Sequence, residues 1–405
     1  MIRTALNSPS LRTALALALG GVAFTVGNLL LARALAPDQY GLVTLFIGVL
    51  SVASLVAPAG LDLVIARRGL SPGPHLRRAV LIASTCVGLA TAVVAAATYG
   101  LTARMATALF VAVAAAGVVQ TVTAYYQGQK RFGVASWLLQ TTNFILIPVA
   151  LLAVAPAAMI AALTTVVAAV AWLATPVRMG SLDSGAAAPA GAPLWREAIS
   201  LVAITSAASV FMQLERLVLV PTAGIQSLAL FGVLSALVSS PYRMLQSAVQ
   251  FTLIPELRAA TGVSERRQLL ARELLIVTVV GTVGAGVLWF LAPWLSRWLL
   301  AGHYELTETV MLAAIVSGLL KVASAFATSV AVALGDDREL RWVSLSAWLS
   351  IGVATAGAFV AAPWGLAGVL YGIGAGWVAR TVVTAWIAAP HLFPHTPRAS
   401  RSAFR

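Results

Sequence analysis

The stretch LARALAPDQYGLVTLF, from Leu31 to Phe46, allows two opposite interpretations of the chain. Residues 34–36 read Ala-Leu-Ala after an apolar run that basic residues precede, which is the outline of a cleaved signal peptide. The core of a signal peptide, however, has only roughly 7 to 15 apolar residues. Residues 13–32 carry no charge, and they are long enough to cross about 30 Å of hydrocarbon. Pro37 is therefore predicted to mark the turn between two membrane-spanning helices.

The composition of the whole chain favours a membrane protein. Of its 405 residues, 60% are hydrophobic and 10% are charged, and the mean hydropathy is +0.93, whereas soluble proteins carry about a quarter charged residues. Charged residues recur at intervals that fit either one helix of about 20 residues or, in residues 132–177 and 342–379, two such helices, and the alternation of barrel strands is missing. The sequence thus predicts an all-α integral membrane protein with twelve spans. Their centres lie near residues 23, 53, 90, 114, 143, 166, 209, 238, 285, 321, 351 and 377.

Basic residues predict the orientation, because Lys and Arg concentrate in cytoplasmic loops. If both termini are cytoplasmic, 19 of the 26 basic residues fall in inner segments. Membrane topology and contact with anionic lipids then explain the net charge of +13, so no nucleic-acid partner is expected. The other seven are Arg33, Arg104 and Arg297 in outer loops and Arg216, Arg243, Lys321 and Arg380 within spans.

A polar segment rich in Gly, Ala and Pro divides the spans into two sets of six. We predict an N-terminal six-helix lobe over residues 1–177, a cytoplasmic linker over 178–195, a C-terminal six-helix lobe over 196–390 and a basic cytoplasmic tail over 391–405. An even number of spans gives both lobes the same orientation, which is typical of a parallel pseudo-repeat. An offset of 188 residues aligns the hairpin at Pro37 with residues 216–229, and it places Asn28 over Arg216.

Several stretches, in order, resemble those of Wzx-type polysaccharide flippases of the MOP exporter superfamily, which includes the MATE transporters. The resemblance implies a two-lobe transporter that flips a polyprenyl-pyrophosphate-linked oligosaccharide to the outer leaflet of the bacterial cytoplasmic membrane by alternating access. It also implies protein partners such as a polysaccharide polymerase or glycosyltransferases. The similar stretches are LARALAPDQYGLVTLFIGVLSVASLVAPAGLDLVIARR (Leu31–Arg68), QLERLVLVPTAGIQSLALFGVLSAL (Gln213–Leu237), IPEL (Ile254–Leu257), LLAGHY (Leu299–Tyr304) and VALGDDR (Val332–Arg338).

Cations within the spans suit a pyrophosphate cargo, because an intramembrane charge is costly unless it faces a cavity or a partner. We expect Lys321, Arg380 and Arg243 to line a cationic cavity between the lobes, and Arg216 and Asn28 to contribute to substrate binding. The alternative for each cation is a structural pair or a side chain that reaches the membrane surface.

Carboxylates within the spans are fewer and are candidates for coupling to Na⁺ or H⁺. Glu215 lies within the seventh span, and Asp62 lies one turn inside the cytoplasmic end of the second. Each could instead be a structural contact, for example between Asp62 and Arg67.

Other classes of protein fit the sequence less well. No large outer loop, intramembrane histidine or ATP-binding P-loop is present, so we expect neither an enzyme nor a cofactor. The loop after the second span also lacks the usual motif of major-facilitator transporters. The main alternative is a cation-coupled multidrug antiporter of the same superfamily, although such a protein would be expected to contain more buried carboxylates.

Overall fold

The computed structural model describes residues 9–152, 155–174, 192–300 and 303–393, and these segments are almost entirely helical, with no strand among them. The predicted all-α fold class is thereby confirmed. Most of the predicted linker (178–191) and of the tail (394–405) lies outside the described residues. The helices are α1 (Pro9–Ala34), α2 (Pro37–Val56), α3 (Leu61–Arg68), α4 (Pro74–Tyr99), α5 (Ala103–Gly128), α6 (Phe132–Leu152), α7 (Pro156–Ala174), α8 (Ala192–Leu234), α9 (Ser240–Ala259), α10 (Val263–Leu299), α11 (Glu308–Leu334), α12 (Asp337–Ala361) and α13 (Gly365–Leu392).

The helices account for the predicted spans. In the described part of the chain, nine helical segments are long and apolar enough to cross a membrane. Two of them, of 66 and 55 residues, each contain two of the predicted spans, and the apolar helix Leu19–Ala34 corresponds to the first. The predicted turn at Pro37 is also present, because α1 ends at Ala34 and Pro37 begins α2 after the extended residue Ala36.

The second span differs from its prediction. Helix α2 ends at Val56, and the short helix α3 begins only at Leu61. Between them Ala59 and Gly60 have positive φ angles of 50° and 79°, which interrupt the helix. Asp62 therefore lies on a separate helix beyond the end of the span.

The chain divides into two compact units, and we call them unit 1 and unit 2. Unit 1 comprises Met1–Ala236 with Arg297–Tyr304, and unit 2 comprises Leu237–Ser296 with Glu305–Arg405. The first boundary lies within a π-helical turn, Ser235–Ser239, between α8 and α9. The helix that corresponds to the seventh span therefore lies in unit 1, together with the helices of the first six spans. The boundary between two six-helix lobes at residues 178–195 stays a prediction.

In unit 1, α8 packs along α2, and α1 packs along α6. Helix α8 is bent at Gly224, whose φ of 83° and ψ of 171° are not helical, so it has two arms, one on each side of the bend. Both arms meet α2 at glycines. A Cβ atom on Gly41 would lie 2.5 Å from the carbonyl oxygen of Ile225, and one on Gly48 would lie 3.0 Å from the Cβ of Arg216. Small residues let these helices approach closely.

In unit 2, α13 packs against both α11 and α12, and α9 packs against α11. The crossing of α12 and α13 depends on two glycines in backbone contact, because a Cβ on Gly372 would lie 2.3 Å from the carbonyl oxygen of Gly357. Helix α10 is mostly exposed, since only 11% of its most apolar stretch is buried. The hydroxyl of Tyr242 on α9 donates a hydrogen bond to the carbonyl oxygen of Gly281 on α10 (3.4 Å).

Candidate functional site

Two of the predicted cargo-binding cations meet at one aromatic ring in unit 2. Lys321 lies halfway along α11, and Arg380 lies on the facing helix α13. The Nζ atom of Lys321 is 5.9 Å from the centre of the Trp377 ring, and the Cζ atom of Arg380 is 5.8 Å from it. Lys321 is 3% exposed and Arg380 is 8% exposed, so both charges lie inside the unit.

The indole ring is one of the groups in contact with both charges. A desolvated cation–π contact contributes about 2 kcal/mol, whereas burying an ion costs several kcal/mol. Helix α11 beyond Glu308 contains no acidic residue, and α13 contains none at all. Two buried cations at one ring make this part of unit 2 positively charged, which suits an anionic ligand. The planar guanidinium of Arg380 suits bidentate contact with phosphate, and Lys321 adds a point charge.

Arg243, the third predicted cation of this group, also belongs to unit 2. It lies in the first turn of α9 and is half-buried. The preceding residue, Tyr242, packs its ring against Gly318 of α11, since a Cβ on that glycine would lie 2.4 Å from a ring carbon. This contact holds the start of α9 against α11, one turn of helix from Lys321.

Arg216 and Asn28 are together in unit 1. The guanidinium of Arg216 on α8 lies 5.5 Å from the centre of the Phe24 ring on α1, and its Nη1 donates to the Oε1 of Gln213 (3.3 Å). Asn28, one turn after Phe24, donates from Nδ2 to the Phe24 carbonyl oxygen (2.8 Å). It accepts a hydrogen bond from the hydroxyl of Tyr40 (3.4 Å). The five predicted residues therefore fall into two groups, one in each unit.

The two predicted coupling carboxylates lie apart in sequence and differ in surroundings. Glu215 is buried on α8 next to Arg216. Asp62 is buried on α3, and its Oδ1 atom has no hydrogen-bond partner among the described residues. Burial raises the pKa of Asp62 from 3.8 to about 6, although backbone amides at Leu63 and at Asp62 itself oppose the shift. In the described part of the chain, no group of three or more His, Cys, Asp or Glu residues is arranged to hold a metal ion.

Unit 1 also contains a cavity of about 130 Å³ between α1, α2, α5, α6 and α7. Its lining is mostly apolar and includes Phe24. Polar groups come from Ser51, Ser54, Gln120 and Asn143, among others. Asn143 donates from Nδ2 to the Oε1 of Gln140 (2.5 Å). Neutral polar side chains of α2, α5 and α6 thus form part of the lining of this mostly apolar cavity.

The sequence alone did not predict two aromatic residues of these sites, Trp377 and Tyr40. Trp377 stands three residues before Arg380 on α13, so the two share a helix face, and this spacing could have identified the ring as its partner. Tyr40 contacts both Asn28 and the ring of Tyr304, whose centre is 6.2 Å away at an interplanar angle of 75°. No sequence signal links Tyr40 to Tyr304, because their contact is formed only by the fold.

Comparison with known proteins identifies the fold. No family model matches the chain, and no curated protein sequence is significantly similar to it. Among solved structures, the chain resembles an inward-facing multidrug resistance MATE family transporter of the MOP superfamily, with a TM-score of 0.64 and 14% identity over 95% of this chain and 100% of that one.

Two further structures support the same fold. The lipid II flippase MurJ, in an inward closed conformation, has a TM-score of 0.67 and 10% identity over 94% of this chain and 90% of that one. A MOP superfamily transporter from Pyrococcus furiosus has a TM-score of 0.53 and 13% identity over 95% and 94% of the two chains. The chain therefore has the multi-pass membrane fold of MOP-superfamily transporters.

Proposed function

We propose that this protein flips a polyprenyl-pyrophosphate-linked oligosaccharide from the inner to the outer leaflet of a bacterial cytoplasmic membrane by alternating access, with both termini in the cytoplasm. The observation that carries the proposal is the buried pair Lys321 and Arg380 at the Trp377 ring. A fold of the MOP type is compatible with alternating access, and the two cations would provide affinity for an anionic cargo.

The chemistry of the cargo matches this arrangement. A pyrophosphate and its sugars need a polar route across hydrocarbon, whereas the polyprenyl tail can stay within the bilayer. Lys321 and Arg380 would bind the phosphate oxygens, and Arg243 would add positive charge in the same unit. The similarity of fold to the lipid II flippase MurJ supports a lipid-linked substrate.

A cation-coupled multidrug antiporter is the second candidate. The mostly apolar cavity of unit 1, with Phe24 in its lining, favours this alternative, and so does the similarity of fold to MATE multidrug transporters. The buried cations of unit 2 count against cationic drugs, because like charges repel in a medium of low dielectric constant.

Deletion of the gene tests the proposal against its alternative. We expect the deletion strain to accumulate lipid-linked oligosaccharide on the cytoplasmic side of the membrane, to lose the surface polymer, and to keep its sensitivity to cationic drugs. The measurements are extraction and leaflet-specific labelling of the lipid pool, with a strain carrying the restored gene as the control. Increased drug sensitivity with an unchanged lipid pool would reject the flippase and support the antiporter.

A further inference from the structure

Helix α10 packs against the rest of unit 2 along only part of its length. The extended contacts between helices of this unit are formed by α9, α11, α12 and α13, and in the described part of the chain α10 takes part in none of them. The buried residues of α10 are Val277, Gly281, Ala292 and Ser296. Between Gly281 and Ala292 the helix advances about 16 Å without a buried residue. This interval of α10 therefore leaves space beside it.

One end of the interval is the point at which α10 meets its neighbours. A Cβ atom on Gly281 would lie 3.3 Å from the Cδ2 atom of Leu319 on α11. The hydroxyl of Tyr242 on α9 donates to the carbonyl oxygen of the same glycine (3.4 Å). Because glycine has no side chain, α10 approaches both helices closely at Gly281.

The surface of α11 that faces this interval is apolar and uncovered. Helix α11 is otherwise well packed, with 67% of its most apolar stretch buried. Leu312 is nevertheless 47% exposed and Leu319 is 38% exposed, and Val316 between them is half-buried. These residues are spaced by three or four positions, so they share one helix face. Since Leu319 contacts Gly281, this face is directed toward α10.

The matching side of α10 consists mainly of small residues. Gly284 and Ala285 lie one turn beyond Gly281, Leu288 lies one turn further, and all three are half-buried. A Cβ atom on Gly284 would have no atom within 4 Å, so there is open space next to this partly shielded residue. The two helices thus enclose an apolar groove, the α10–α11 groove, which is lined by Leu312, Val316 and Leu319 of α11 and by Gly284, Ala285 and Leu288 of α10.

The groove adjoins the pair of buried cations. Leu319 precedes Lys321 by two residues on α11. Tyr242, which contacts α10 through its hydroxyl, packs its ring against Gly318, one turn of helix from Lys321. An anion that Lys321 and Arg380 bind is therefore held about one turn of helix from the end of the groove.

We propose that the α10–α11 groove binds the isoprenoid chain of a polyprenyl pyrophosphate. The inference rests on the proposed function, and it specifies where the chain lies while Lys321 and Arg380 bind the pyrophosphate. The groove is apolar on both sides and open to the bilayer, so the chain enters it sideways. Gly284 and Ala285 leave room for the methyl branches, which make an isoprenoid chain wider than a straight acyl chain. An ordinary phospholipid also lacks the pyrophosphate that the cations would hold.

Photo-cross-linking to the purified protein tests the position of the chain. The probe is a polyprenyl pyrophosphate with a diazirine on the chain, and mass spectrometry of the digested protein locates the cross-links. We expect them in residues 281–292 of α10 and 312–319 of α11. Excess unlabelled polyprenyl pyrophosphate should remove the cross-links, whereas excess phosphatidylglycerol should not. Equal removal by phosphatidylglycerol would show that the groove holds ordinary membrane lipid, and it would overturn the proposal.

Filling the groove with a side chain tests the same site. Gly284→Leu places a leucine in the open space, and we expect it to lower the yield of cross-links roughly fivefold or more. Gly286→Leu is the matched control, because Gly286 is exposed on the other side of the same helix and its Cβ would also meet no atom. This variant should cross-link like the wild type. A wild-type yield for Gly284→Leu would overturn the proposal.

Flipping in vesicles separates the chain site from the proposed function. The wild type and Gly286→Leu should flip a fluorescent polyprenyl-pyrophosphate oligosaccharide at equal rates, and Gly284→Leu should be roughly fivefold slower or more. If Gly284→Leu flips this lipid as fast as the wild type, the groove assignment fails and the flippase stands. If the wild type cross-links the probe in the groove but flips no lipid, the flippase fails and the chain site stands.

Discussion

Replacing Lys321 or Arg380 with Gln should reduce export of the lipid-linked oligosaccharide to the level of the deletion strain. Both charges are buried at the Trp377 ring, where water cannot replace a lost contact. Truncating one partner of a buried, hydrogen-bonded charge pair costs about 2–5 kcal/mol, which corresponds to a loss of at least about 30-fold in affinity. The measurement is the amount of surface polymer in cells that contain equal levels of each variant.

The control substitutions separate charge from fold. Lys321→Arg and Arg380→Lys keep the charge and should retain part of the export. Arg258→Gln also removes one positive charge from unit 2, but at an exposed site near the end of α9, where Arg258 donates to the carbonyl oxygen of Val332 (3.3 Å). Its export should equal that of the wild type. Full export by Lys321→Gln or Arg380→Gln would contradict a role for these residues in binding the phosphate.

The second large effect is expected at Gly60. An alanine there must adopt a φ of 79°, which costs roughly 1–2 kcal/mol. Its Cβ would also lie 2.1 Å from a backbone oxygen of α8, so the helices must separate, and such overpacking costs about 1–3 kcal/mol more. Gly60→Ala should therefore lower the melting temperature of the purified protein by several degrees.

Gly100→Ala is the matched control for this substitution. Gly100 has a similar φ of 65°, but no atom lies within 4 Å of a Cβ built on it. Alanine at position 100 therefore has the conformational cost of a positive φ without a steric clash. Equal melting temperatures for the two variants would show that the contact between α3 and α8 does not determine stability.

Much of the fold follows from where charges and prolines lie along the chain. The apolar intervals predict the spans because only about 20 residues fit the bilayer, and Pro37 predicts the first outer turn. The break before α3 was not predicted, since Pro58 and Gly60 lie in an apolar stretch that reads as part of the span. The separation of Asp62 from that span becomes apparent only from the backbone.

The packing of the helices was less predictable than their positions. The polar linker predicts where the chain leaves the membrane, but it does not predict that α8 packs along α2. That contact depends on shape, because Gly41 and Gly48 leave room for α8 and for the stem of Arg216. The intramembrane cations could be predicted as candidates, because charge is rare within spans. Their division into two groups and the shared ring at Trp377 depend on which helices meet.

Flipping of a defined lipid by the pure protein tests the central claim most directly. The protein is reconstituted into vesicles with a fluorescent polyprenyl-pyrophosphate oligosaccharide, and the labelled lipid that a membrane-impermeant quencher can reach is followed over time. We predict rapid flipping by the wild type, and rates equal to those of protein-free vesicles for Lys321→Gln. A wild-type rate equal to that of protein-free vesicles, together with transport of a cationic dye by the same preparation, would contradict the proposed cargo.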